Sequence, residues 1–233
     1  GQVNEKITKD YLNQISSLFP GVTYKIKGQA EKSADSGKRL GIAFLISIIL
    51  IMITISLNFK SFYQSRLILM IVPIGVVSAI LGHGIVDKPF STLSVWGVVA
   101  LIGILVNDAI VMLDQFNRQV AKGNTLEEAV LLAGKSRFRA IILTTITTVA
   151  GLYPLIMETS FQAQFLIPMA ISVAYGVLFG TLILLLYFPA LIVYLNDMRR
   201  ARWWLWIGGK TAPSRLDVEP ITKHIKRINK FKE

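Results

Sequence analysis

The 233-residue sequence contains no cysteine, which excludes disulfides, zinc-thiolate sites and thiol catalysis. It contains two histidines, His83 and His224, too few for a histidine-based metal site, and no nucleophile elbow, metal-ligand spacing or phosphate loop appears. Enzyme chemistry is therefore not expected, and neither a cofactor nor a metal. Charge is scarce as well: 17% of residues are charged against 53% hydrophobic, and the charges gather at the two ends and in two connecting segments. This distribution belongs to a membrane protein. The formal net charge of +11 does not point to nucleic acid, because no basic groove with interleaved aromatics accompanies it. The basic residues flank apolar spans, where they set topology and meet anionic headgroups of the lipid bilayer.

Five apolar spans are predicted at 40–57, 67–86, 92–116, 140–157 and 165–195, each near the ~20 residues that cross a bilayer. Pro189 is a candidate kink in the last. The fold class is an all-α membrane bundle. Lys60 and Arg66 lie after the first span, and Arg118, Lys122, Lys135, Arg137 and Arg139 lie between the third and fourth. The alternate connections carry only Lys88. The positive-inside rule then places the N-terminus outside and the C-terminus in the cytoplasm.

Residues 1–37 are polar, and no signal peptide is visible. Helical spacing over Asp10–Phe19, a Pro20-Gly21 turn and alternation over Val22–Ile26 predict the end of a soluble α/β domain, continuing from an upstream segment. Between the third and fourth spans, Asn124 or Thr125 caps a predicted interfacial helix over 124–134 that ends at Gly134. The tail, 197–233, is basic and reads as cytoplasmic. Trp203, Trp204 and Trp206 beside Arg199, Arg200 and Arg202 form an interfacial belt, and Ile221–Lys232 is placed on the inner leaflet or left disordered.

The chemistry concentrates in two spans. Asp108 interrupts an otherwise apolar helix, and a carboxylate there costs several kcal/mol unless it faces protein or water. Its readings are an ion pathway, a proton relay or a hydrogen bond to a neighbouring helix. Asn107 is adjacent, and Gly103 one turn earlier marks that side as one for close helix approach. Asp114 reads as a solvated end residue. In the fourth span Thr144, Thr145, Thr147 and Thr148 supply hydroxyls for a proton path, or bond back to their own helix. Thr144 and Thr148 share a face with Gly151 and are the best candidates to face the third span. Arg137 and Arg139 flank that span and either extend inward or snorkel to headgroups. His83 reads as a residue of a helix end, with a proton-responsive role as the alternative.

The segment Gly-Ile-Leu-Val-Asn-Asp-Ala-Ile-Val-Met-Leu-Asp at 103–114, followed by Arg-Phe-Arg-Ala-Ile-Ile-Leu-Thr-Thr-Ile-Thr-Thr-Val-Ala-Gly-Leu-Tyr-Pro-Leu at 137–155, resembles the C-terminal part of resistance-nodulation-division (RND) efflux transporters of the hydrophobe/amphiphile exporter type. Val72-Pro73-Ile74-Gly75 and Phe188-Pro189-Ala190-Leu191 extend the resemblance. It implies that 38–196 holds the last five of twelve helices, and that 1–37 closes a periplasmic porter domain. It also implies a homotrimer of complete protomers in a Gram-negative inner membrane, with a periplasmic adaptor, an outer-membrane duct and the missing N-terminal half or a companion chain as partners. By position, the family's relay lysine falls at Asn107, its arginine at Arg137 and its threonine at Thr144. Asn107 departs from the lysine, and Asp108 is expected to supply a carboxylate in its place, with Thr148 as a further hydroxyl. Proton-coupled export is the implied function. A non-transporting membrane scaffold, or a protein-export accessory subunit with the same fold, is the alternative.

Overall fold

The computed structural model describes residues 29–206 and 213–222. The chain divides into two compact units, Gly1–Ser47 and Ile48–Glu233. The expected helix over Asp10–Phe19 and strand over Val22–Ile26 of the α/β remnant lie outside the described residues, which contain helices and no strand; the end of the remnant, 29–37, is helical. In chain order the helices are α1 (Gln29–Phe59), α2 (Phe62–Leu69), α3 (Val72–Val86), α4 (Thr92–Ala121), α5 (Leu126–Ile156) and α6 (Ile167–Trp206), with a 3₁₀ turn over Ala163–Phe165. Five helical stretches are long and apolar enough to cross a membrane.

Each boundary has a local cause. α1 stops where Lys60 adopts a left-handed conformation (φ 50°), and Ser61 then caps α2 by accepting a bond from Gln64 N. α2 and α3 together make one span, Phe62–Val86, interrupted at Met70 and Ile71. Pro73, in the first turn of α3, has no N–H to continue the ladder back to Leu69. α3 ends at Asp87, again left-handed (φ 53°). Ser91 and Ser94 form a capping box at the start of α4, and Thr125 and Glu128 form another at the start of α5. Between α4 and α5 the chain turns at Gly123, whose φ of 91° suits glycine.

Three boundaries differ from the sequence reading. The helix expected over 124–134 is not separate, because α5 continues from Leu126 to Ile156 through Gly134. No neighbouring atom lies where a Cβ on Gly134 would sit, and α-helical bonding across it satisfies the backbone better than a break would. α6 likewise runs through Pro189 to Trp206, and α1 is helical from Gln29, eleven residues before the predicted span.

The core of the second unit forms where α6 packs against α3, α4 and α5, with α4 also against α3 and α5. Glycines permit these approaches. A Cβ on Gly176 would lie 2.3 Å from Leu101, one on Gly180 would lie 2.8 Å from Leu105, and one on Gly82 would lie 2.3 Å from Tyr175. In the last turn of α3, a helix end as read from the sequence, His83 is buried. Its Nδ1 is 3.0 Å from Ala79 O, its Nε2 is 2.8 Å from Ser94 Oγ, and Phe90 meets its ring edge-on. At the other end, Gln64 and Asn117 exchange side-chain hydrogen bonds of 2.8 and 3.2 Å, and Ser56 and Ser65 are 2.8 Å apart. These pairs tie α2 to α4 and α1 to α2.

Of the segment Ile221–Lys232, only Ile221 and Thr222 are among the described residues. Residues 213–222 return to the bundle, burying Val218 and Glu219. Asn196 donates to Arg215 O at 3.0 Å and to the Glu219 carboxylate, and Arg215 bridges Glu127 at the start of α5 and Asp197 on α6. Burial pushes the Glu219 carboxyl above the usual carboxylate range, against the opposing pull of the Asn196 hydrogen bond and the Arg199 charge. A group whose folded-state pKa is raised stabilises the folded form as pH falls, because the docked state binds the proton more readily. Docking of this segment is therefore expected to tighten on acidification through the carboxylate range and to loosen above it. Limited proteolysis of the tail across pH checks this, and Glu219→Gln should flatten the profile.

Candidate functional site

The third and fourth spans hold the polar residues singled out above, and the bundle turns them to two different sides. On α4 the buried face is built by Leu101, Leu105, Ala109 and Met112, and Asp108 falls on it with 8% of its surface exposed. Its carboxylate has no hydrogen bond or ion pair among the described residues. Asn107, one step round the helix, is exposed. Gly103 is exposed too, and nothing lies within 4 Å of where its Cβ would be. Among the described residues no helix packs on the Gly103 side, where a neighbouring helix was expected. Close packing instead uses Gly97, Gly75, Gly176 and Gly180, whose faces carry no side chain to hold the helices apart. With Ala100, the open face forms a strip of small and polar residues, Ala100-Gly103-Asn107, at helical spacing.

On α5 the buried stripe is Leu126, Ala129, Val130, Ala133, Ile141 and Thr145. Thr144, expected to face the third span, is exposed and donates back to Ala140 O at 3.0 Å. Gly151 is exposed and Thr148 half-buried, so the Thr144–Gly151 face looks away from the core. Thr147 also bonds back to its own helix, at Leu143 O and Thr144 O. The threonine turned inward is Thr145, whose hydroxyl donates to Thr181 Oγ1 of α6 at 3.0 Å. Its signal was the spacing 133, 137, 141, 145, four residues apart, which marks one helix face. Thr181 sits alone in an apolar run and gave no signal.

Arg137 belongs to that same stripe. It is half-buried, and its Nε is buried without a hydrogen-bond partner. Since Leu105 meets Gly180 and Thr145 meets Thr181, Thr145 lies near the level of Leu105 and Val106, and Asp108 lies a few ångströms along α4 from there. Arg137 lies about 12 Å along α5 from Thr145, toward the same end. Asp108 and Arg137 are therefore two charge-bearing groups inside one membrane bundle, neither compensated by the described residues.

Only 11% of the most apolar window of α5 is buried, against 50% for α4. Much of the face bearing Thr144 thus has no protein against it among the described residues. Asp114 is at the surface and pairs with Arg118 at 2.8 Å, as expected for a solvated end residue. Among the described residues no group of His, Asp and Glu could hold a metal ion.

Comparison with known proteins agrees with this architecture. The model of the AcrB/AcrD/AcrF family matches residues 1–196. A multidrug resistance protein MdtC from Erwinia tasmaniensis is 30% identical over 168 residues, covering 72% of this chain and 16% of that protein. The swarming motility protein SwrC of Bacillus subtilis is 30% identical over 202 residues, covering 86% of this chain and 18% of that protein. Among solved structures, a heavy metal efflux pump shares the fold with a TM-score of 0.67 at 24% identity, over 82% of this chain and 19% of its own. The chain thus spans less than a fifth of the length of these relatives. A multi-pass membrane bundle with a family match over most of its length belongs to the AcrB/AcrD/AcrF family of RND efflux transporters.

Proposed function

We propose that this chain supplies the C-terminal membrane helices of a proton-coupled RND exporter, and that Asp108 carries the proton. The single observation behind this reading is an unpaired carboxylate buried mid-helix in a membrane span. Such a group is retained only where protonation or a partner compensates it. Arg137, with its unpartnered Nε, is the second pole of the relay, and Thr144 and Thr148 supply hydroxyls along the open face of α5. Asn107, beside Gly103 on the open strip of α4, meets the first half of the transporter. Transporters of this kind work from two repeats around a central interface, and one repeat alone cannot alternate access.

In this reading residues 1–37 belong to a periplasmic porter domain, the N-terminus is periplasmic and the C-terminus cytoplasmic. The complete protomer assembles as a trimer in the inner membrane with an adaptor and an outer-membrane duct.

Reconstitution tests the proposal. In liposomes with an imposed pH gradient, the chain together with a matching first half should move an amphiphilic dye, and the chain alone should not. Gly103→Leu should leave the stability of this chain within about 0.5 kcal/mol, since its site is open, yet abolish association with the first half. Transport by the chain alone, or normal association of the Gly103→Leu variant, would overturn the split arrangement. An intact pair that assembles and moves nothing would favour a scaffold.

A further inference from the structure

A groove of about 260 Å³ lies between α2 and the last turns of α6, at the end of the bundle where α6 finishes. α6 has 40 residues and is about 60 Å long, roughly twice the hydrocarbon thickness, so its final turns extend beyond the hydrocarbon core. Three exposed tryptophans, Trp203, Trp204 and Trp206, mark the headgroup level there.

The groove has a polar and an apolar tier. Arg66 of α2 and Arg202 of α6 are exposed, and neither pairs with a carboxylate among the described residues. Arg199 lies between them with its guanidinium 4.1 Å from the centroid of the Tyr63 ring. Glu219 and Arg199 attract each other, yet Arg199 Nη1 is buried without a hydrogen-bond acceptor. One helical turn deeper, each of these polar residues has an apolar counterpart in the lining. Met70 follows Arg66, and Met198 precedes Arg202, 44% and 52% exposed respectively. Leu67 and Leu195 stand in the same relation to Tyr63 and Arg199.

Cationic donors above and an open apolar strip directly below match an amphiphile with an anionic head, not a free ion. From this geometry we propose that the groove between α2 and α6 is a binding site for one anionic phospholipid. Its phosphodiester is held by Arg66, Arg199 and Arg202, and an acyl chain lies along Met70 and Met198. Zwitterionic lipids are disfavoured because their ammonium group brings a like charge to three arginines. The site is separate from the polar residues of α4 and α5 and does not depend on the proposed proton relay.

Native mass spectrometry of the full chain in detergent tests the site, with phosphatidylglycerol and phosphatidylcholine of identical acyl chains and with inorganic phosphate as competitor. One phosphatidylglycerol should be retained about tenfold more tightly than phosphatidylcholine, and inorganic phosphate should not displace it. The double variant Arg66→Gln, Arg202→Gln should bring the two lipids to within about twofold. Both arginines are exposed and unpaired, so the fold should tolerate the change. Met198→Glu, which leaves every arginine in place and puts a carboxylate under the headgroup, should expel the lipid as well. Equal retention of the two lipids, or phosphatidylglycerol binding unchanged in both variants, would overturn the proposal. Displacement by inorganic phosphate would replace it with a free-phosphate site.

Discussion

Asp108→Asn in the assembled transporter is expected to lower pH-gradient-driven export on the order of 100-fold, the scale on which a positioned proton-transferring group contributes. Asp108 is 8% exposed on the inner face of α4, has no hydrogen-bond or ion-pair partner among the described residues, and lies within an apolar span. A purely structural carboxylate in that position would be expected to have a partner on a packed neighbour, as Asn117 has in Gln64 and Thr145 has in Thr181. Asparagine keeps the size and can still hydrogen-bond, so the substitution removes titration with little change in packing. The variant should therefore reach the membrane in normal amount, melt within a few degrees of the parent and bind the dye normally, while export driven by the pH gradient is lost. Asp108→Glu should retain part of the activity. Full export by Asp108→Asn would reduce the residue to a packing role.

Gly97→Leu has the second large effect, on folding. A Cβ at Gly97 would lie 2.6 Å from the Met169 carbonyl oxygen and 2.7 Å from Ser172 Cβ. The nearest contact is backbone, which cannot rotate aside as a leucine tip can. Adding even one carbon there forces α4 and α6 apart at the interface that anchors the core, and overpacking of this kind costs about 1–3 kcal/mol or more. Leucine, with four carbons, should exceed about 3 kcal/mol and leave little folded protein by fluorescence-detected size exclusion. Gly97→Ala should fall within the range itself. Gly151→Ala, with nothing within 4 Å, serves as the neutral control. The contrast separates loss at a specific close approach from a general intolerance of glycine replacement.

What the sequence disclosed and what it withheld follow from the same physics. Five spans stand out because ~20 apolar residues are required whatever the packing, and the cap at Thr125 closes a helix whose end carries unpaired amides. The continuity of α5 did not stand out. Gly134, Lys135, Ser136, Arg137 and Arg139 look like a break, yet they interrupt hydropathy and not backbone bonding. Facing was harder still. Four threonines within five positions spread over an arc of about 160° on α5, so composition alone could not choose between Thr144 and Thr145. Only the four-residue repeat through Ala133, Arg137, Ile141 and Thr145 distinguishes the inward side. For α4 the small residue at Gly103 was read as a side for close helix approach, but no described helix of this chain occupies that side. The tail was read as basic and cytoplasmic from its charge, and the docking of 213–222 gave no signal because it depends on Asn196 and Glu219, each unremarkable until α6 brings them together.

The central claim, that Asp108 moves the proton that drives export, is tested most directly by proton flux itself. Liposomes carrying the assembled transporter and a pH-sensitive dye in the lumen would be challenged with an amphiphilic substrate, comparing the parent with Asp108→Asn. The account predicts substrate-dependent proton movement in the parent and none above leak in the variant. Equal proton flux in both would contradict it.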